Sequence, residues 1–281
     1  MKDQTYLVIG GKGKTGRKVV EKLTSLGKEV RSASRSTNPG FDWEDPTTYA
    51  GVLEGVDAVY ITFQPDLAIP PAEKAIKLFV HEAAKYEVKN LVLLSGRGEE
   101  GAEKCEEIVM NSGIDWTIVR ADWFSQNFSE NFFLESILAG QVALPMHETP
   151  VAYVDTDDIS DVVVASLLDS KHVGQIYTLT GPTMLKFDEV INEIADATGR
   201  NIQFNPVSLE QYLDMMREHN IPEDFLWLVE YLFGQVLDGR NVSTTNDIEK
   251  VLGRKAKEFS EYVKETAATG VWNQTVPQVN A

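Results

Sequence analysis

The stretch GGKGKTG, residues 10–16, comes directly after the apolar run Tyr6–Ile9 and directly before Arg17–Leu23, whose apolar residues recur at helical spacing. An apolar strand, a glycine-rich turn and a helix, in this order, form the first unit of an open parallel sheet that binds phosphates at the helix N-terminus. The stretch therefore predicts an α/β fold with a nucleotide site near the beginning of the chain.

The spacing of the glycines distinguishes two kinds of phosphate loop. The letters GKT also end a nucleoside-triphosphate loop, but that loop needs a glycine five residues before Gly13, where this chain has Val8. A dinucleotide loop fits in two registers. Gly10 or Gly11 makes the tight turn, Gly13 lets the backbone approach a pyrophosphate, and Gly16 lets the helix close on the strand. We therefore predict a dinucleotide site.

The composition is that of an ordinary globular protein. Of the 281 residues, 43% are hydrophobic and 25% are charged, and no apolar run approaches the roughly 20 residues of a membrane helix. The only cysteine, Cys105, excludes a disulfide framework and fits a reducing cytoplasm. Scattered histidines show no ligand spacing, so we expect no metal. The net charge of −17 repels phosphates, so we expect no direct binding to nucleic acid.

Strand-like and helix-like segments alternate through the first part of the chain. This alternation predicts a doubly wound parallel sheet, a Rossmann fold, with right-handed crossovers and with ligands at the carboxyl ends of the strands. The predicted strands are Tyr6–Ile9, Glu29–Ala33, Ala58–Phe63, Leu91–Ser95 and Trp116–Arg120, and the predicted helices are Arg17–Leu26, Thr47–Leu53, Ala72–Tyr86 and Ala102–Asn111.

The rest of the chain indicates a smaller, mainly helical region. We assign residues 1–125 to an NADP-binding Rossmann domain and residues 126–150 and 181–281 to a substrate-binding region. Residues 151–180 are expected to rejoin the Rossmann domain, because a helix start rich in carboxylates near Thr156 is followed by the strand-like segment GQIYTLTGP. The predicted helices of the substrate-binding region lie around Phe128–Leu138 and at Phe187–Thr198, Leu209–Glu218 and Glu223–Leu237.

The end of the second predicted strand distinguishes NADP from NAD. An NAD site usually has Asp or Glu there, about 20 residues past the glycines, to bind the ribose hydroxyls. This chain has Ser34, Arg35 and Ser36 instead. A carboxylate would repel a 2′-phosphate, whereas a guanidinium flanked by hydroxyls donates charge-assisted hydrogen bonds to it. The sequence therefore favours NADP(H).

Motifs along nearly the whole chain resemble the NmrA-like atypical short-chain dehydrogenases. In order these are VIGGKGKTGRKVV, RSASRS, GVDAVYIT, NLVLLSG, SGIDWTIVRADWFSQNF, YVDTDDISDV and YTLTGPTMLKFDEVINEIADATGR. Within that family, the stretches ASRS…FDWED and LVLLSGRGE are most similar to the ergot-alkaloid-type reductases, the festuclavine and agroclavine dehydrogenases, and their bacterial relatives. The resemblance implies a Rossmann fold that binds NADP(H).

The resemblance also implies which residues hold the cofactor. They form the phosphate loop, the 2′-phosphate site, a pair that flanks the adenine after the family's third strand, and the ends of the following strands beside the ribose and nicotinamide. This chain has Ala121 where most relatives have proline. The implied cofactor-binding residues are Gly10, Lys12, Gly13, Lys14, Thr15, Ser34, Arg35, Asp42, Trp43, Thr62, Phe63, Gln64, Ser95, Gly96, Ala121 and Trp123.

The usual acid of the superfamily is missing from the sequence. Standard members use a Tyr-x-x-x-Lys pair, in which the phenol protonates the carbonyl oxygen and the ammonium lowers the phenol pKa. None of the nine tyrosines has a lysine four residues later, and alignment on SGIDW places Gly98 and Ala102 in the two positions. Ser95 is the only hydroxyl carried over from that region, and we expect it to position the substrate at most. No catalytic residue is identified.

Two functions remain open. One is a reductase that transfers hydride from NADPH to an activated small molecule, such as an iminium, a quinone or an enone. Such an acceptor is electrophilic enough to react without an acid catalyst, whose loss lowers the rate about 10²–10⁴-fold. The other is a non-catalytic NADP(H)-sensing regulator that acts through a protein partner. We expect the reductase, as a monomer or homodimer, with a pocket between the carboxyl edge of the sheet and the C-terminal helices. The expected pocket residues are Trp123, Phe124, Tyr153 and Trp227.

Overall fold

The computed structural model describes residues 4–130, 133–145 and 148–273. The chain divides into two compact units, which are interleaved in sequence. Unit 1 consists of Met1–Asp122, Thr156–Thr180 and Thr245–Ala256, and unit 2 consists of Trp123–Asp155, Gly181–Thr244 and Lys257–Ala281.

The described ranges contain the following regular elements. The strands are β1 (Thr5–Ile9), β2 (Glu29–Ala33), β3 (Ala58–Ile61), β4 (Asn90–Gly96), β5 (Asp115–Ala121), β6 (Gln141–Leu144), β7 (Gln175–Leu179) and β8 (Gln203–Pro206). The α-helices are α1 (Gly16–Ser25), α2 (Tyr49–Leu53), α3 (Pro70–Lys85), α4 (Glu100–Met110), α5 (Leu134–Ala139), α6 (Thr156–Leu168), α7 (Phe187–Thr198), α8 (Leu209–Glu218), α9 (Glu223–Tyr231), α10 (Asp247–Leu252) and α11 (Phe259–Ala268).

Unit 1 is built on a parallel sheet of six strands in the order β2-β1-β3-β4-β5-β7. The predicted doubly wound Rossmann fold is confirmed. The chain leaves β1 towards β2 on one side and later crosses to β3 on the other, so the strand order reverses between β1 and β3. Ligands of such sheets bind at the carboxyl ends of the strands beside this reversal.

The inner strands of this sheet are apolar because helices cover both faces. All five residues of β1 and all four of β3 are buried. Helix α1 buries Gly16, Val19 and Leu23, which are spaced three or four residues apart and form one apolar stripe. Each large apolar side chain removed from water stabilises the unit by about 1.5–3 kcal/mol.

The carboxylates at the start of α6 pair with cations on two other helical segments. Lys18 of α1 donates to Asp157 at 2.6 Å, and Lys22 pairs with Asp161. Arg254, which follows α10, donates to Asp158 at 2.6 Å. These ion pairs give a further reason for the acidic helix start, beyond the favourable helix dipole.

Residues 245–256 belong to unit 1, although the sequence assigns them to the C-terminal region. The side chain of Asp247 accepts a hydrogen bond from the backbone N–H of Thr178 in β7 at 2.8 Å. The backbone N–H of Thr245 donates to the hydroxyl of Thr180 at 2.9 Å. These contacts join segments that are far apart in sequence, which is why local patterning does not reveal them.

Several other elements differ from the sequence expectations. The family pattern places a strand before Asp42, whereas residues 34–45, all of them described, form no strand. Strands β6 and β8 pair in parallel as a second sheet in unit 2, which the sequence does not predict. Residues 152–154 are strand-like in sequence, but of the three only Val154 pairs, in an isolated bridge with Phe124. Residues 131–132 of the predicted helix 128–138 lie outside the described residues.

Unit 2 has an aromatic core of its own. Phe128, Phe133, Tyr153 and Phe187 are buried together with aliphatic side chains from α7, α9 and α11. Trp272 is fully buried, and its indole N–H donates to the carbonyl oxygen of Phe128 at 2.8 Å. This bond satisfies the polar atom of a large side chain within an apolar core.

Candidate functional site

The glycine loop, residues 10–16, is shaped by close backbone contacts. Gly10 has a φ of +66°, which favours glycine, and its backbone carbonyl accepts a hydrogen bond from Gly13 N–H at 2.8 Å. A Cβ on Gly16 would lie 2.2 Å from the carbonyl oxygen of Gly10, so only glycine lets α1 begin so close to β1. A Cβ on Gly13 would lie 3.2 Å from the same oxygen, a tight but less severe contact.

The N-terminus of α1 remains suited to an anion. No acidic residue lies in the first turn, and the Thr15 side chain does not cap the helix. The Thr15 hydroxyl instead accepts a hydrogen bond from the Tyr60 hydroxyl at 3.0 Å in the interior of unit 1. Thr15 therefore offers a phosphate its backbone N–H and not its side chain.

The glycine loop and the end of β2 are connected through a lysine. Lys12 Nζ donates to the Ser36 hydroxyl at 2.7 Å, and the hydroxyls of Ser34 and Ser36 lie 3.3 Å apart. Arg35 between them is exposed and makes no ion pair with any described residue. We call Ser34–Ser36 the β2 tip. With Lys12 it assembles two cations and two hydroxyls at the surface, which is the donor set that a phosphate monoester requires.

The segment after the β2 tip packs against the end of β3. The Trp43 indole N–H donates to the Thr62 carbonyl oxygen at 3.0 Å, and the Trp43 ring lies 4.9 Å from that of Phe63. The Thr62 hydroxyl donates to the carbonyl oxygen of Ile9 at 3.0 Å, where it also faces Gly10. Asp42 accepts from the backbone N–H of Glu44 at 3.1 Å. The structure thus brings the implied adenine and ribose residues beside the glycine loop.

At the end of β4, the Ser95 side chain points into the protein. Its hydroxyl donates to Glu106 Oε1 at 2.6 Å, and Ser95 and Glu106 are both buried. Arg120 also donates to Glu106, from Nε at 2.8 Å and from Nη2 at 2.5 Å. Glu106 is therefore a paired, buried carboxylate, and Ser95 belongs to its hydrogen-bond network.

A second carboxylate, Glu99, lies over the end of β4. A Cβ on Gly96 would be 2.1 Å from both carboxyl oxygens of Glu99, so the glycine makes the space that the carboxyl group fills. The Asp66 carboxyl, from the loop after β3, lies within hydrogen-bonding reach of Glu99. Burial raises the Glu99 pKa well above its usual range, and the Asp66 charge raises it further.

The next carboxylate along this edge, Asp122, is paired with an arginine. Asp122, directly after β5, is buried and accepts a hydrogen bond from Arg97 Nη1 at 2.9 Å. Arg97 N–H in turn donates to the Ala121 carbonyl oxygen at 3.0 Å. Within the described residues no group of three or more His, Cys, Asp or Glu side chains has the arrangement of a metal site.

Family models match most of this chain. A model described as NAD(P)H-binding matches residues 10–170, which include the glycine loop, the β2 tip and the ends of β3 to β5. A model of the NmrA-like family matches residues 102–267. The chain belongs to the NmrA-like family. The loop geometry fits the dinucleotide that this family binds, because the glycines leave backbone N–H groups at the N-terminus of α1.

The NmrA-like chain is similar over nearly its full length to several named proteins. Prestalk A differentiation protein A of Dictyostelium discoideum is 29% identical, over 93% of this chain and 92% of that protein. An NAD(P)H azoreductase of Xenophilus azovorans is 27% identical, over 93% and 98%. Agroclavine dehydrogenase of Claviceps fusiformis is 24% identical, over 95% and 98%. The resemblance to the agroclavine and festuclavine dehydrogenases is thus confirmed.

The fold is also found among solved structures. The NADPH-dependent quinone oxidoreductase of Escherichia coli, complexed with NADPH, superposes with a TM-score of 0.78 over 92% of this chain and 99% of that one, at 16% identity. At this identity the similarity concerns the fold. No described helix has both the length and the apolar character needed to cross a membrane.

The expected substrate-pocket residues all lie in unit 2. Trp123 packs against Phe233 with ring centroids 5.2 Å apart, and Phe124 is partly buried. Tyr153 is only 1% exposed in the aromatic core. Trp227 is 41% exposed and stacks on Tyr231, its ring 5.4 Å away. Trp227 therefore presents an accessible aromatic surface, and Tyr153 does not.

Sequence reasoning missed two residues beside these sites. Tyr60 orients the Thr15 hydroxyl in the interior of unit 1. Glu99 follows Gly98, which occupies the position of the missing tyrosine in the family alignment. A carboxylate next to that position was a signal, but its burial and its contact with Asp66 depend on tertiary structure.

Proposed function

We propose that this protein is an NADPH-dependent reductase of activated small molecules such as iminium ions, quinones or enones. The observation that carries the proposal is the connection of the glycine loop to the β2 tip, through the hydrogen bond from Lys12 to Ser36. It supports a pyrophosphate site and a 2′-phosphate site that would lie side by side in unit 1. The similarity to an azoreductase and to agroclavine dehydrogenase supports a reductive reaction.

The β2 tip supports NADPH over NADH. Lys12 and Arg35 are exposed, so a phosphate can reach them without the desolvation of a buried charge. A guanidinium and an ammonium beside hydroxyls stabilise a dianionic phosphate through charge-assisted hydrogen bonds. The tip has no carboxylate to bind the ribose hydroxyls of NADH.

The remaining cofactor residues have roles that follow from their positions. The glycine loop residues Gly10, Gly13 and Lys14 would bind the pyrophosphate, and Trp43 and Asp42 would flank the adenine. The segment Thr62–Gln64 would border the ribose, and Gly96 and Ala121 would border the nicotinamide, which supplies a hydride when bound. Unit 2, with Trp123 and Phe124 at its beginning, would supply substrate-binding residues.

A nicotinamide oxidation assay tests the proposal. The full chain is mixed with NADPH or NADH and with a panel of quinones, cyclic iminium ions and enones, and the loss of nicotinamide absorbance is followed. We expect turnover of at least one class with a preference for NADPH. Tight NADPH binding without turnover of any class would instead support the NADP(H)-sensing regulator.

A further inference from the structure

The environment of Glu99 in unit 1 is unusual for a carboxylate. Glu99 is 8% exposed, and its Oε2 receives no hydrogen bond from an N–H or hydroxyl donor in the described part of the chain. Buried carboxylates are normally paired with cations or bonded to donors, as Glu106 is with Arg120. Glu99 has neither, although Gly96 provides space for its carboxyl group.

The neighbour of Glu99 is another carboxyl group. Asp66 lies within hydrogen-bonding reach and itself accepts a hydrogen bond from the backbone N–H of Ala68 at 2.8 Å. Two ionised carboxylates cannot hydrogen-bond to each other, because neither has a proton to donate. A proton held between them makes the contact favourable, and this carboxyl pair therefore requires one proton.

The surrounding charges place that proton on Glu99. Burial is the largest cause of the raised Glu99 pKa, followed by the charge and hydrogen bond of Asp66 and then by the charges of Asp122 and Glu106. Burial also raises the Asp66 pKa, but the hydrogen bonds from Ala68 and Glu99 oppose this effect. Arg97 and Arg120 are already engaged with Asp122 and Glu106. Glu99 is thus the partner that holds the shared proton to higher pH and donates it to Asp66.

The position of the pair relative to the sheet connects it to the reaction. The pyrophosphate site lies at the N-terminus of α1, beside the reversal of strand order, and the β2 tip lies to one side of it. A dinucleotide with its adenosine end at β2 extends its nicotinamide end towards the other side, over β3 and β4. Asp66 follows β3 and the Glu99 carboxyl covers the end of β4.

We propose that Glu99 is the catalytic acid of this reductase and replaces the missing tyrosine as proton donor to the acceptor. The proposal rests on the proposed function. In the reduction of an enone, bound NADPH would supply a hydride, with two electrons, that forms the new C–H bond on the acceptor. The C=C π pair moves towards the carbonyl oxygen, which takes the proton from Glu99. Glu99 is left as a carboxylate beside ionised Asp66, and a proton regained from water restores the hydrogen bond between the two carboxyl groups.

Two features set Glu99 apart from its neighbours in this role. The Ser95 hydroxyl is a far weaker acid than a carboxyl group, and Glu106 accepts hydrogen bonds from both Ser95 and Arg120, so neither is suited to supply the proton. The carboxyl groups of the pair do not form part of a metal site in the described residues. A neutral carboxylic acid next to the reacting edge has the acid strength that a serine hydroxyl lacks.

The variant Glu99→Gln tests the proposal without removing the hydrogen bond. Its amide N–H can donate to Asp66 as the protonated acid does, so the fold is expected to persist, but it cannot release a proton. We expect kcat for a quinone or enone to fall by about 10²–10⁴-fold, the usual worth of a general acid. Reduction of a cyclic iminium ion, which gains no proton, should change little, and the Kd for NADPH should stay the same.

The exposed Glu107 of α4, the helix that begins directly after Glu99, provides the matched control. Glu107→Gln makes the same chemical change at the surface and should leave all rates unaltered. The wild-type kcat for the enone should fall as the pH rises through the pKa of the carboxyl pair, and Glu99→Gln should lack this fall. Equal losses for enone and iminium, or an unchanged pH profile in Glu99→Gln, would overturn the proposal.

Infrared difference spectroscopy gives a readout that does not depend on turnover. At neutral pH, the spectrum of the wild type minus Glu99→Gln should contain the carbonyl band of a protonated carboxyl group. The wild type minus Glu107→Gln should lack it. Absence of the band from the first difference would overturn the proposal, whatever the kinetics. If the band is present but the protein reduces no acceptor, Glu99 is protonated. Both the proposed function and the catalytic role of Glu99 are then refuted.

Discussion

The β2 end and the β4 end of the sheet edge in unit 1 handle charge in opposite ways. At the β2 end, Lys12 and Arg35 are exposed cations next to the hydroxyls of Ser34 and Ser36. At the β4 end, the carboxylates of Glu99 and Glu106 are buried. The first arrangement attracts an anion from solution, and the second has to neutralise each acid internally.

The difference shows how burial selects the chemistry of a charged group. An exposed cation keeps its charge and binds phosphate with little desolvation cost. A buried acid either pairs with a cation, as Glu106 does with Arg120, or has a raised pKa that favours its protonated form, as Glu99 has beside Asp66. One end of the edge is therefore suited to binding, and the other to proton transfer.

The largest expected effect tests the loop between the two ends. In Gly13→Val, the Cβ would lie 3.2 Å from the Gly10 carbonyl oxygen, and the branched side chain would fill the space that we propose for the pyrophosphate. We expect NADPH affinity to fall at least about 100-fold, roughly 2.7 kcal/mol, by calorimetric titration. The control Gly51→Ala on α2 adds a Cβ in ordinary contact with Pro39 and should bind normally. Normal affinity in a folded Gly13→Val would refute the loop assignment.

The next effect concerns the β2 end alone. Arg35→Ala should weaken NADPH binding by on the order of 1–3 kcal/mol, the range for hydrogen bonds to charged groups, and should leave NADH binding unchanged. Lys28 is exposed and lies directly before the start of β2, at the opposite end of the strand from the tip. Lys28→Ala removes the same charge there and so controls for net charge. Equal affinity of the wild type for NADPH and NADH would contradict the assignment of the tip.

The β4 end predicts a pH dependence of stability. The Glu99 pKa is raised in the folded state, chiefly by burial, so its stabilising contribution is complete below the unfolded value of about 4.3 and is lost as pH rises through the folded value. Above about pH 4.3, Glu99→Gln should therefore gain stability relative to the wild type, by at most about 1.4 kcal/mol per pH unit. Urea unfolding over a pH series measures this. A difference that does not vary with pH would show that the Glu99 pKa is unshifted.

The smallest expected effect belongs to Ser95. Ser95→Ala removes one hydrogen bond from Glu106, which keeps its bonds from Arg120. We expect a stability loss of about 0.5–1.5 kcal/mol in urea unfolding and a fall in kcat of about tenfold or less. A far larger fall in kcat would mean that Ser95 and not Glu99 takes part in proton transfer.

The sequence predicts the β2 end much better than the β4 end. The glycine loop and the serine–arginine tip are contiguous motifs with fixed spacing, so local sequence is enough to predict which residues lie close together. The direction of the Thr15 hydroxyl towards Tyr60 is not encoded locally, and Lys12 meets Ser36 across 24 residues. The contact of Glu99 with Asp66 needs β3 and β4 to be paired first.

The same distinction applies to the fold. Local alternation of strands and helices predicts the Rossmann sheet, because consecutive strands from β1 to β5 are each joined by one crossover that contains a helix. The pairing of β6 with β8 joins Gln141 to Gln203, and no local pattern marks it. Residues 245–256 contact unit 1 through individual hydrogen bonds and ion pairs. An example is the hydrogen bond from the Thr178 backbone N–H to the Asp247 side chain.

Isotope transfer tests the central claim, that this protein reduces a small molecule with hydride from NADPH and a proton from its own acid. NADPH deuterated at the reactive C4 position is incubated with the wild type and an enone that it consumes, and the product is analysed by mass spectrometry and NMR. The account predicts one deuterium, bonded to carbon, in each product molecule, at a rate that Glu99→Gln lowers about 10²–10⁴-fold. Unlabelled product, or no product from any acceptor while NADPH binds tightly, would contradict it.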